Sequence, residues 1–537
     1  MTRLLRLAFA AALGAALAGP APAWAQTAPA SPPAGPAADP PARVGRIARI
    51  DGAAEFRAPG ADHWDPAVLN YPVTDGDALR TPVAATAAIE IGGSRLTLDA
   101  DSELGIGKLD GQSLVASLQQ GEMALRLRHL LPGETLTIFT RHGAVRFTQP
   151  GRYGLFAGDT ERPSSVSVLE GQALLLGEQR TVSVPAGQTA WISGDQPLTA
   201  TLEPLRPDPF LLAMLPPEAP PVPAIPAIAP PPDAMLAAPP PLMAELPGGA
   251  ELGAYGVWAT TPEYGTVWYP AVAPGWVPYR AGHWAFIAPW GWTWIDDEPW
   301  GFTPFHYGRW AEFHDRWCWV PYGRPVDHDW RWDRDRPVYA PALVGFVGGG
   351  GEHGRPTGWF PLGYGEPYRP WYHASPDYLR DVNRGHVRDL DHVSVVINND
   401  RNFNNYANLH ATTAGNANTF VGGRPGSGES WRQPPGATGQ LRPLSGAPGQ
   451  PAAAHGPTAA VPAPMPQVIH PPQPRPNYQQ HRDSPPPVQQ QPQQQQPQQQ
   501  RYVPQQTQPQ RAPSYNPPPQ QQRSAPARSC SNYNRFC

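Results

Sequence analysis

Three consecutive acidic residues, Asp296, Asp297 and Glu298, form the most concentrated carboxylate cluster in the chain. A pair of carboxylates is what the hydrolysis of a glycosidic bond requires. Successive side chains on a strand point to opposite faces, so Asp296 and Glu298 could act together while Asp297 could not. A turn between two aromatic strands also explains the cluster, and we predict no catalytic residues. A cell-wall glycan hydrolase that uses Asp296 and Glu298 is the enzymatic alternative.

Several histidines and one cysteine raise the question of a metal site in the same part of the chain. They are His283, His306, His314, His328 and Cys318. No pair of them has a ligand spacing such as C-x-x-C or H-E-x-x-H. The glycine run from Gly348 to Gly351 lacks the lysine or helix of a phosphate-binding loop, and no nucleophile elbow occurs. We therefore predict no metal, no cofactor and no nucleic-acid partner.

Most of the 19 tryptophans lie between Glu251 and Arg369. Exposed rings could stack on sugars or hold peptides, whereas buried rings would build a small core. The aromatic residues occur at Gly and Pro turns rather than along one face, so we expect most to be buried and a few to be exposed. The candidate binding residues are Trp290, Trp292, Trp294, Trp300, Asp296, Glu298, His283 and Arg309.

The same region contains two copies of one motif at a fixed offset of 26 residues. The seven positions Trp268, Gly275, Trp276, Pro278, Tyr279, Gly282 and Trp284 recur as Trp294, Gly301, Phe302, Pro304, Phe305, Gly308 and Trp310. Short units that cannot each bury their own aromatic residues are expected to pack into one cooperative module. His283 corresponds to Arg309, and packing or a cation–π contact with the following Trp explains a polar group there.

Short alternating segments separated by turn dipeptides occupy residues 44–192. The pattern predicts one hairpin over Val44 to Arg57, around Asp51-Gly52, and another over Ala87 to Leu98, around Gly92-Gly93, because such dipeptides allow the positive φ of a tight turn. Turns recur roughly every 8 to 12 residues and no helical period is present. We predict a mainly β chain with an antiparallel sandwich or barrel here, followed by a Trp-rich repeat module of short strands and loops.

Several segments of this region resemble the FecR-type periplasmic domain. They are Thr74 to Thr81, Ala88 to Ser94, Leu96 to Leu98, Ser102 to Leu104, Leu118 to Glu122, Gly151 to Tyr153 and Val166 to Ala173. The resemblance covers about residues 44–191 and implies an all-β fold and a periplasmic setting. Signalling members of that family are membrane-tethered and pass a receptor signal to a sigma factor. Because this chain shows neither their cytoplasmic N-terminal segment nor their membrane anchor, we do not extend the anti-sigma role to it.

The aromatic region resembles a second family, a Trp/Gly-rich family of unknown function in exported proteobacterial proteins. The similarity is carried by Trp276 to Trp284 and by Pro289 to Trp310. It continues at Gly358 to Gly363 and, more weakly, in the Asn-rich stretch around Asn398 to Phe420. Members often follow a FecR-type domain. This resemblance covers about residues 251–424 and implies an architecture without implying an activity.

The N-terminus predicts export. Arg3 and Arg6 precede an apolar run that is too short to span a bilayer, and Ala23-Trp24-Ala25 before Gln26 has the form of a signal-peptidase site. We therefore expect cleavage at about Ala25/Gln26, a periplasmic or secreted protein, and no transmembrane segment. In an oxidising compartment, Cys530 and Cys537 could pair within one chain or between chains, which leaves Cys318 unpaired and buried.

The C-terminal region is rich in Pro and Gln and is expected to be disordered. From Pro425 onward nine Arg accompany two acidic residues, so nine minus two gives a charge of +7 in a chain whose overall charge is −4. Such a basic tail could contact anionic envelope surfaces, or it could be a solvated spacer. A Pro-rich stretch from Pro204 to Pro247 is predicted to be a semi-rigid polyproline II spacer that holds the two modules apart.

The predicted organisation consists of seven segments. They are a signal peptide (1–25), a disordered leader (26–43), the FecR-like all-β domain (44–200), a Pro-rich linker (201–250), the Trp/Gly/Pro-rich repeat module (251–380), an Asn-rich extension (381–424) and the disordered Pro/Gln-rich basic tail (425–537). The predicted function is that of an exported, non-catalytic cell-envelope protein that binds another envelope protein or a glycan. The alternatives are the hydrolase described above and a structural envelope scaffold.

Overall fold

The computed structural model describes residues 38–178, 180–195, 197–214, 230–322, 336–348, 357–387, 406–415 and 442–443. The predicted signal peptide, Cys530, Cys537 and all of the predicted basic tail except residues 442–443 lie outside the described residues. The described part is mainly β-structure, which confirms the predicted fold class. Two folded parts are distinguished below, and both lie in one compact unit, residues 1–470.

The first part, the sandwich module, covers residues 45–204 and contains two nine-stranded sheets. Its strands are β1 (Gly45–Asp51), β2 (Glu55–Arg57), β3 (Asp65–Pro66), β4 (Pro72–Val73), β5 (Ala78–Thr81), β6 (Thr86–Ile91), β7 (Ser94–Leu98), β8 (Ser102–Leu109), β9 (Ser113–Gln120), β10 (Glu122–Leu127), β11 (Thr135–Thr140), β12 (Gly143–Phe147), β13 (Gly151–Phe156), β14 (Ser164–Glu170), β15 (Gln172–Leu176), β16 (Thr181–Pro185), β17 (Gln188–Asp195) and β18 (Leu198–Pro204). The strand orders are β18-β17-β14-β13-β10-β7-β6-β1-β4 and β16-β15-β12-β11-β9-β8-β5-β2-β3. Neighbouring strands run antiparallel apart from the parallel pair β9 and β11.

One apolar core lies between these two sheets. Ile89 and Leu125 of the first sheet and Leu104 and Ile138 of the second are at most 1% exposed and belong to the same cluster. Alternate residues of the strands face this core, as a period of two requires. The alternation of apolar and polar residues in the sequence therefore determines which face of each strand packs into the core of the sandwich.

The two predicted hairpins have different outcomes. Strands β6 and β7 pair as predicted around Gly92-Gly93. The predicted hairpin around Asp51-Gly52 is wrong, because β1 pairs with β4 and β6 in one sheet while β2 pairs with β3 and β5 in the other. Gly52 has a φ of +83°. This left-handed conformation occurs in hairpin turns, and here it lets the chain cross from one sheet to the other. The chain turns a similar corner at Gly121, between β9 and β10.

The second part, the Trp module, covers the described residues from 235 to 443 and contains sheets of five, two and four strands. Its strands are β19 (Met235–Leu236), β20 (Gly256–Thr261), β21 (Gly265–Pro270), β22 (Gly282–Ile287), β23 (Gly291–Asp296), β24 (Arg309–Glu312), β25 (Trp317–Val320), β26 (Val344–Gly348), β27 (Thr357–Pro361), β28 (Thr413–Gly415) and β29 (Arg442–Pro443). The sheet orders are β19-β20-β21-β25-β24, β22-β23 and β28-β27-β26-β29. The helices are α1 (Pro209–Met214), between the modules, α2 (Thr303–His306) and α3 (Pro376–Asn383), with 3-10 turns at Pro241–Ala244, Gly249–Ala254 and Leu409–Ala411.

The repeat of 26 residues corresponds to a hairpin that begins with Gly-x-Trp, and the structure contains three such hairpins. The directly paired tryptophans are Trp258 with Trp268, Trp284 with Trp294, and Trp310 with Trp319. In each hairpin a Cβ on the first glycine would collide with the indole of the partner strand's Trp, so only glycine fits there; these glycines are Gly256, Gly282 and Gly308. Each copy recognised in the sequence runs from the second strand of one hairpin to the first strand of the next, and the first copy begins at Trp268 in the first hairpin.

The aromatic residues of these hairpins share one core, as the repeat predicts. Tyr279 and its repeat equivalent Phe305 touch each other, with ring centroids 4.8 Å apart, and the Tyr279 hydroxyl donates to the Phe305 carbonyl at 2.7 Å. Trp276 packs on Trp310 with ring centroids 5.4 Å apart. Rings that cannot be buried within one hairpin are therefore buried between hairpins.

The predicted spacer does not hold the modules apart. Its described residues include the end of β18, α1 and the turn at 241–244, and Leu242 and Met243 are buried in the same cluster as the Trp residues. Val44 belongs to that cluster as well. Burial of apolar side chains inside the Pro-rich stretch thus anchors it to the folded protein. Its composition alone suggests an extended chain.

Two other predicted boundaries also change. Residues 38–43 of the predicted leader contact the Trp module, since Asp39 accepts from the Ser375 amide at 2.7 Å and the Tyr339 amide donates to the Ala42 carbonyl at 2.9 Å. The predicted Asn-rich extension contributes the end of α3 and strand β28, which pairs with β27. The described residues of both segments are parts of the folded unit.

Candidate functional site at the junction of the two modules

The acidic cluster forms a turn at the end of β23. The Asp296 side chain is 2% exposed and accepts hydrogen bonds from Trp294 Nε1 at 3.0 Å and from the Glu298 amide at 3.1 Å. Burial raises the pKa of Asp296 well above its ordinary value, although these two donors oppose the shift. Asp296 therefore caps the turn from inside the protein.

The backbone of this turn docks onto the sandwich module. Asn70 Nδ2 donates to the carbonyls of Asp296 at 2.9 Å and Glu298 at 2.8 Å. Arg46 Nη1 donates to the Pro299 carbonyl at 3.0 Å. Asn70 itself has a φ of +62°, a conformation that Asn tolerates better than most residues. The segment considered for catalysis is thus a contact between modules.

A buried network of charges surrounds the same contact. The Arg46 side chain is 1% exposed and lies 2.9 Å from Glu90 and 2.7 Å from Glu251, which comes from the Trp module. Glu251 also pairs with Arg95 at 2.7 Å. Burial would raise the pKa of Glu90, but Arg46, Arg95 and Arg128 lower it to about 2. Glu90 is therefore ionised at neutral pH, and the guanidinium groups compensate its buried charge.

A second group of charges joins the modules nearby. Glu134 of the sandwich module accepts from Arg43 at 2.5 Å and from Arg336 at 2.8 Å. Glu245, which lies in the predicted linker, pairs with His129. Removing one partner of such a pair would leave the other charge buried and uncompensated, which is costly.

The tryptophans proposed as ligand platforms are inside the protein. Trp290, Trp292, Trp294 and Trp300 are at most 3% exposed, and Trp294 packs edge-on against Trp284 with ring centroids 5.4 Å apart. A ring without exposed faces cannot stack on a ligand, so their proposed surface role is corrected to a core role.

The remaining predicted site residues occupy different environments. Glu298 is half-buried, and its pKa is raised by burial and then by Asp297. His283 is half-buried and lies 3.7 Å from the exposed Asp297. Arg309 is 1% exposed and donates to the Glu366 and Gly308 carbonyls and to Asn383 Oδ1. These backbone and amide partners, rather than a cation–π contact, account for Arg309.

Within the described residues, no group of three metal-ligating side chains comes together. Cys318 is a free, buried thiol beside Tyr269, and burial raises its pKa to about 12, which keeps it protonated. No helix in the described ranges has the length and apolar character needed to cross a membrane.

The residues that join the modules were missed by sequence reasoning. Arg46 and Asn70 contact partners more than 200 positions away, and no local motif signals such a contact. One available signal is that Arg46 interrupts the otherwise apolar start of β1, whose first three residues are all buried. A charged residue at a core position predicts a buried partner.

The fold and the junction define a mainly β protein of two fused modules. Residues 249–366 match the model of a family of unknown function, DUF6600. Two crystal structures of a candidate anti-sigma factor from Parabacteroides distasonis ATCC 8503 are similar at 12% and 11% identity, each with a TM-score of 0.21. Each match covers 24% of this chain and 59% of that protein, so this chain spans less than two thirds of its length. A likeness at this level carries no functional argument. No curated protein matches the chain.

Proposed function

We propose that this protein is an exported, non-catalytic protein of the cell envelope that binds another envelope protein. One observation carries the proposal: among the described candidate residues, Asp296, Arg309 and the four candidate tryptophans are buried in the core or at the junction between the modules. Asp296 caps a buried turn, and the turn's carbonyls accept hydrogen bonds from the sandwich module. Export is proposed from the N-terminal sequence, and the basic tail would add contacts with anionic surfaces.

A glycan hydrolase is disfavoured by the position of the acidic pair. Hydrolysis needs one carboxyl group on each side of a bound glycosidic bond, with room for the sugar between them. Asp296 is 2% exposed, so a sugar could reach it only if the junction opened. Its raised pKa follows from burial and so has a structural cause.

A protein partner is favoured over a glycan because few aromatic rings of the described residues are exposed at the surface. Among the large apolar side chains described, the exposed aromatic residues are Trp191, at 37%, and Phe286, at 36%. They belong to different modules and therefore do not form one continuous stacking platform of the kind that binds sugar chains. A protein interface combines an apolar core with a polar rim and needs no continuous row of rings.

The proposal is tested by capturing partners with the full mature protein. An envelope extract is divided in two, and one half is treated with a protease while the other is treated with a muramidase. The protease and the muramidase are inactivated before the extracts are applied. We expect the protease to abolish saturable binding and the muramidase to leave it unchanged. Binding that resists the protease and is lost after muramidase treatment would contradict a protein partner.

A further inference from the structure

A buried guanidinium without a carboxylate partner lies in the Trp module. Arg309 is 1% exposed, yet no carboxylate oxygen of the described residues lies within the 4 Å of an ion pair with it. Its three acceptors are neutral: the Glu366 carbonyl at 3.0 Å, the Gly308 carbonyl at 2.9 Å and Asn383 Oδ1 at 3.1 Å. Burial lowers the pKa of Arg309 to about 10, so the side chain is still charged at neutral pH. An uncompensated buried charge is costly.

The Glu366 carboxylate attracts this charge and so opposes the lowering of the Arg309 pKa, but it forms no ion pair with Arg309. Its oxygens accept from the Gly363 amide at 2.5 Å and from the Ala407 amide at 2.7 Å. A guanidinium has five N–H donors, and Arg309 uses three in the bonds above, so five minus three leaves two without a partner among the described residues. Two N–H groups are what an arginine needs to hold a planar carboxylate.

Arg309 lines a cavity of about 20 Å³. His306 and Leu343 are buried parts of the lining, and His306 adds no charge at neutral pH because burial lowers its pKa to about 3. Arg336 and Arg384 lie on the more exposed side of the lining, with side-chain exposures of 22% and 33%. Arg336 is paired with Glu134, and Arg384 with Asp381, which also lines the cavity, so Arg309 is the arginine of the lining without a carboxylate partner.

We propose that this cavity is a binding site for a carboxylate group, held by Arg309 and admitted between Arg336 and Arg384. The volume accommodates about one or two water-sized atoms, which suits the oxygens of a carboxylate. The rest of the ligand would extend towards solvent. This inference rests on the proposed function and deepens it, since the group would be an acidic side chain or a C-terminal carboxylate of the protein partner.

The test measures thermal unfolding of the full mature protein by tryptophan fluorescence in a chloride-free buffer of constant ionic strength. Sodium acetate is titrated against acetamide, a neutral molecule of the same shape. We expect acetate to raise the Tm progressively, as a ligand of the folded state must, and acetamide to leave it unchanged. Equal responses to both, or a stronger response to inorganic phosphate, would overturn the proposal.

The variants separate binding from folding. Arg309→Gln is expected to weaken acetate affinity at least tenfold, whereas Arg152→Gln, which removes an arginine of the sandwich module, should leave it unchanged. If Arg309→Gln does not fold, Arg384→Gln at the rim is expected to weaken affinity severalfold. A folded Arg309→Gln protein with wild-type affinity, or an unchanged affinity in Arg384→Gln when Arg309→Gln cannot be obtained, would refute the assignment.

Two capped peptides identify the source of the carboxylate. One carries a glutamate side chain and an amidated C-terminus, and the other carries alanines and a free C-terminus. A response to either one supports the site and shows which carboxylate it prefers, while a response to neither would overturn the link to a protein partner. Because these readouts do not depend on extract binding, failure of this site and failure of the proposed function are distinguishable.

Discussion

Replacing Asn70 by alanine tests the contact between the modules most selectively. The change leaves the carbonyls of Asp296 and Glu298 without the donors now at 2.9 and 2.8 Å, and it removes an acceptor of Arg46 at 3.2 Å. Each buried acceptor left without a partner costs about 1–3 kcal/mol. Alanine at the φ of +62° adds about 1 kcal/mol. The expected loss of unfolding free energy is therefore about 3–7 kcal/mol.

The assay is urea unfolding of the full mature protein, followed by tryptophan fluorescence and by far-UV circular dichroism. Fluorescence reports mainly on the Trp module, where most tryptophans lie, while circular dichroism reports on both modules. Coincident transitions in the wild-type protein would show that the modules unfold together. In Asn70→Ala we expect the fluorescence transition to occur at lower urea concentration.

Two further substitutions separate the causes. Asn70→Gly removes the same hydrogen bonds but tolerates the positive φ, so it should be about 1 kcal/mol more stable than Asn70→Ala. Asp62→Ala, at an exposed position of the same module, should change the unfolding free energy by less than about 0.5 kcal/mol. A loss below about 1 kcal/mol in Asn70→Ala would refute the account of the junction.

The remaining predictions concern the core, the pH dependence and export. Phe302→Ala should lower the unfolding free energy by about 3–5 kcal/mol because the ring is fully buried, and Trp276→Ala should lower it by less because that ring is half-buried; thermal melts check both. Burial raises the pKa of Glu122 to about 8 from 4.5, so its stabilising contribution is complete below pH 4.5 and is lost as the pH rises through about 8. Urea titrations across that range should therefore show a smaller loss in Glu122→Gln. N-terminal sequencing of the exported protein should begin at Gln26, and a cytosolic protein that retains residues 1–25 would contradict this.

The sequence predicts the type of structure better than the arrangement of its parts. Alternating apolar residues predict strands because a strand has a period of two, and the sandwich follows. The placement of aromatic residues at Gly and Pro turns predicts that most of them are buried. Trp294 and Phe302, for example, are fully buried. Predictions of this kind depend only on residues that are close together in the sequence.

What could not be predicted depends on contacts far apart in the chain. Asp51-Gly52 provides a positive φ whether the next strand returns to the same sheet or crosses to the other, so the dipeptide does not determine pairing. The Pro-rich stretch has the composition of a spacer, but Leu242 and Met243 are buried in the same cluster as the tryptophans of the Trp module. The charge of Arg309 is visible in the sequence, whereas its burial without a carboxylate partner is visible only in three dimensions.

The central claim, that the acidic cluster serves the junction and performs no hydrolysis, is tested most directly with purified peptidoglycan sacculi. The full mature protein and its Glu298→Gln variant are incubated with sacculi, a muramidase serves as the positive control, and soluble muropeptides are measured by chromatography. We predict no muropeptides above the buffer background for either protein. Release by the wild-type protein that Glu298→Gln abolishes would contradict the claim.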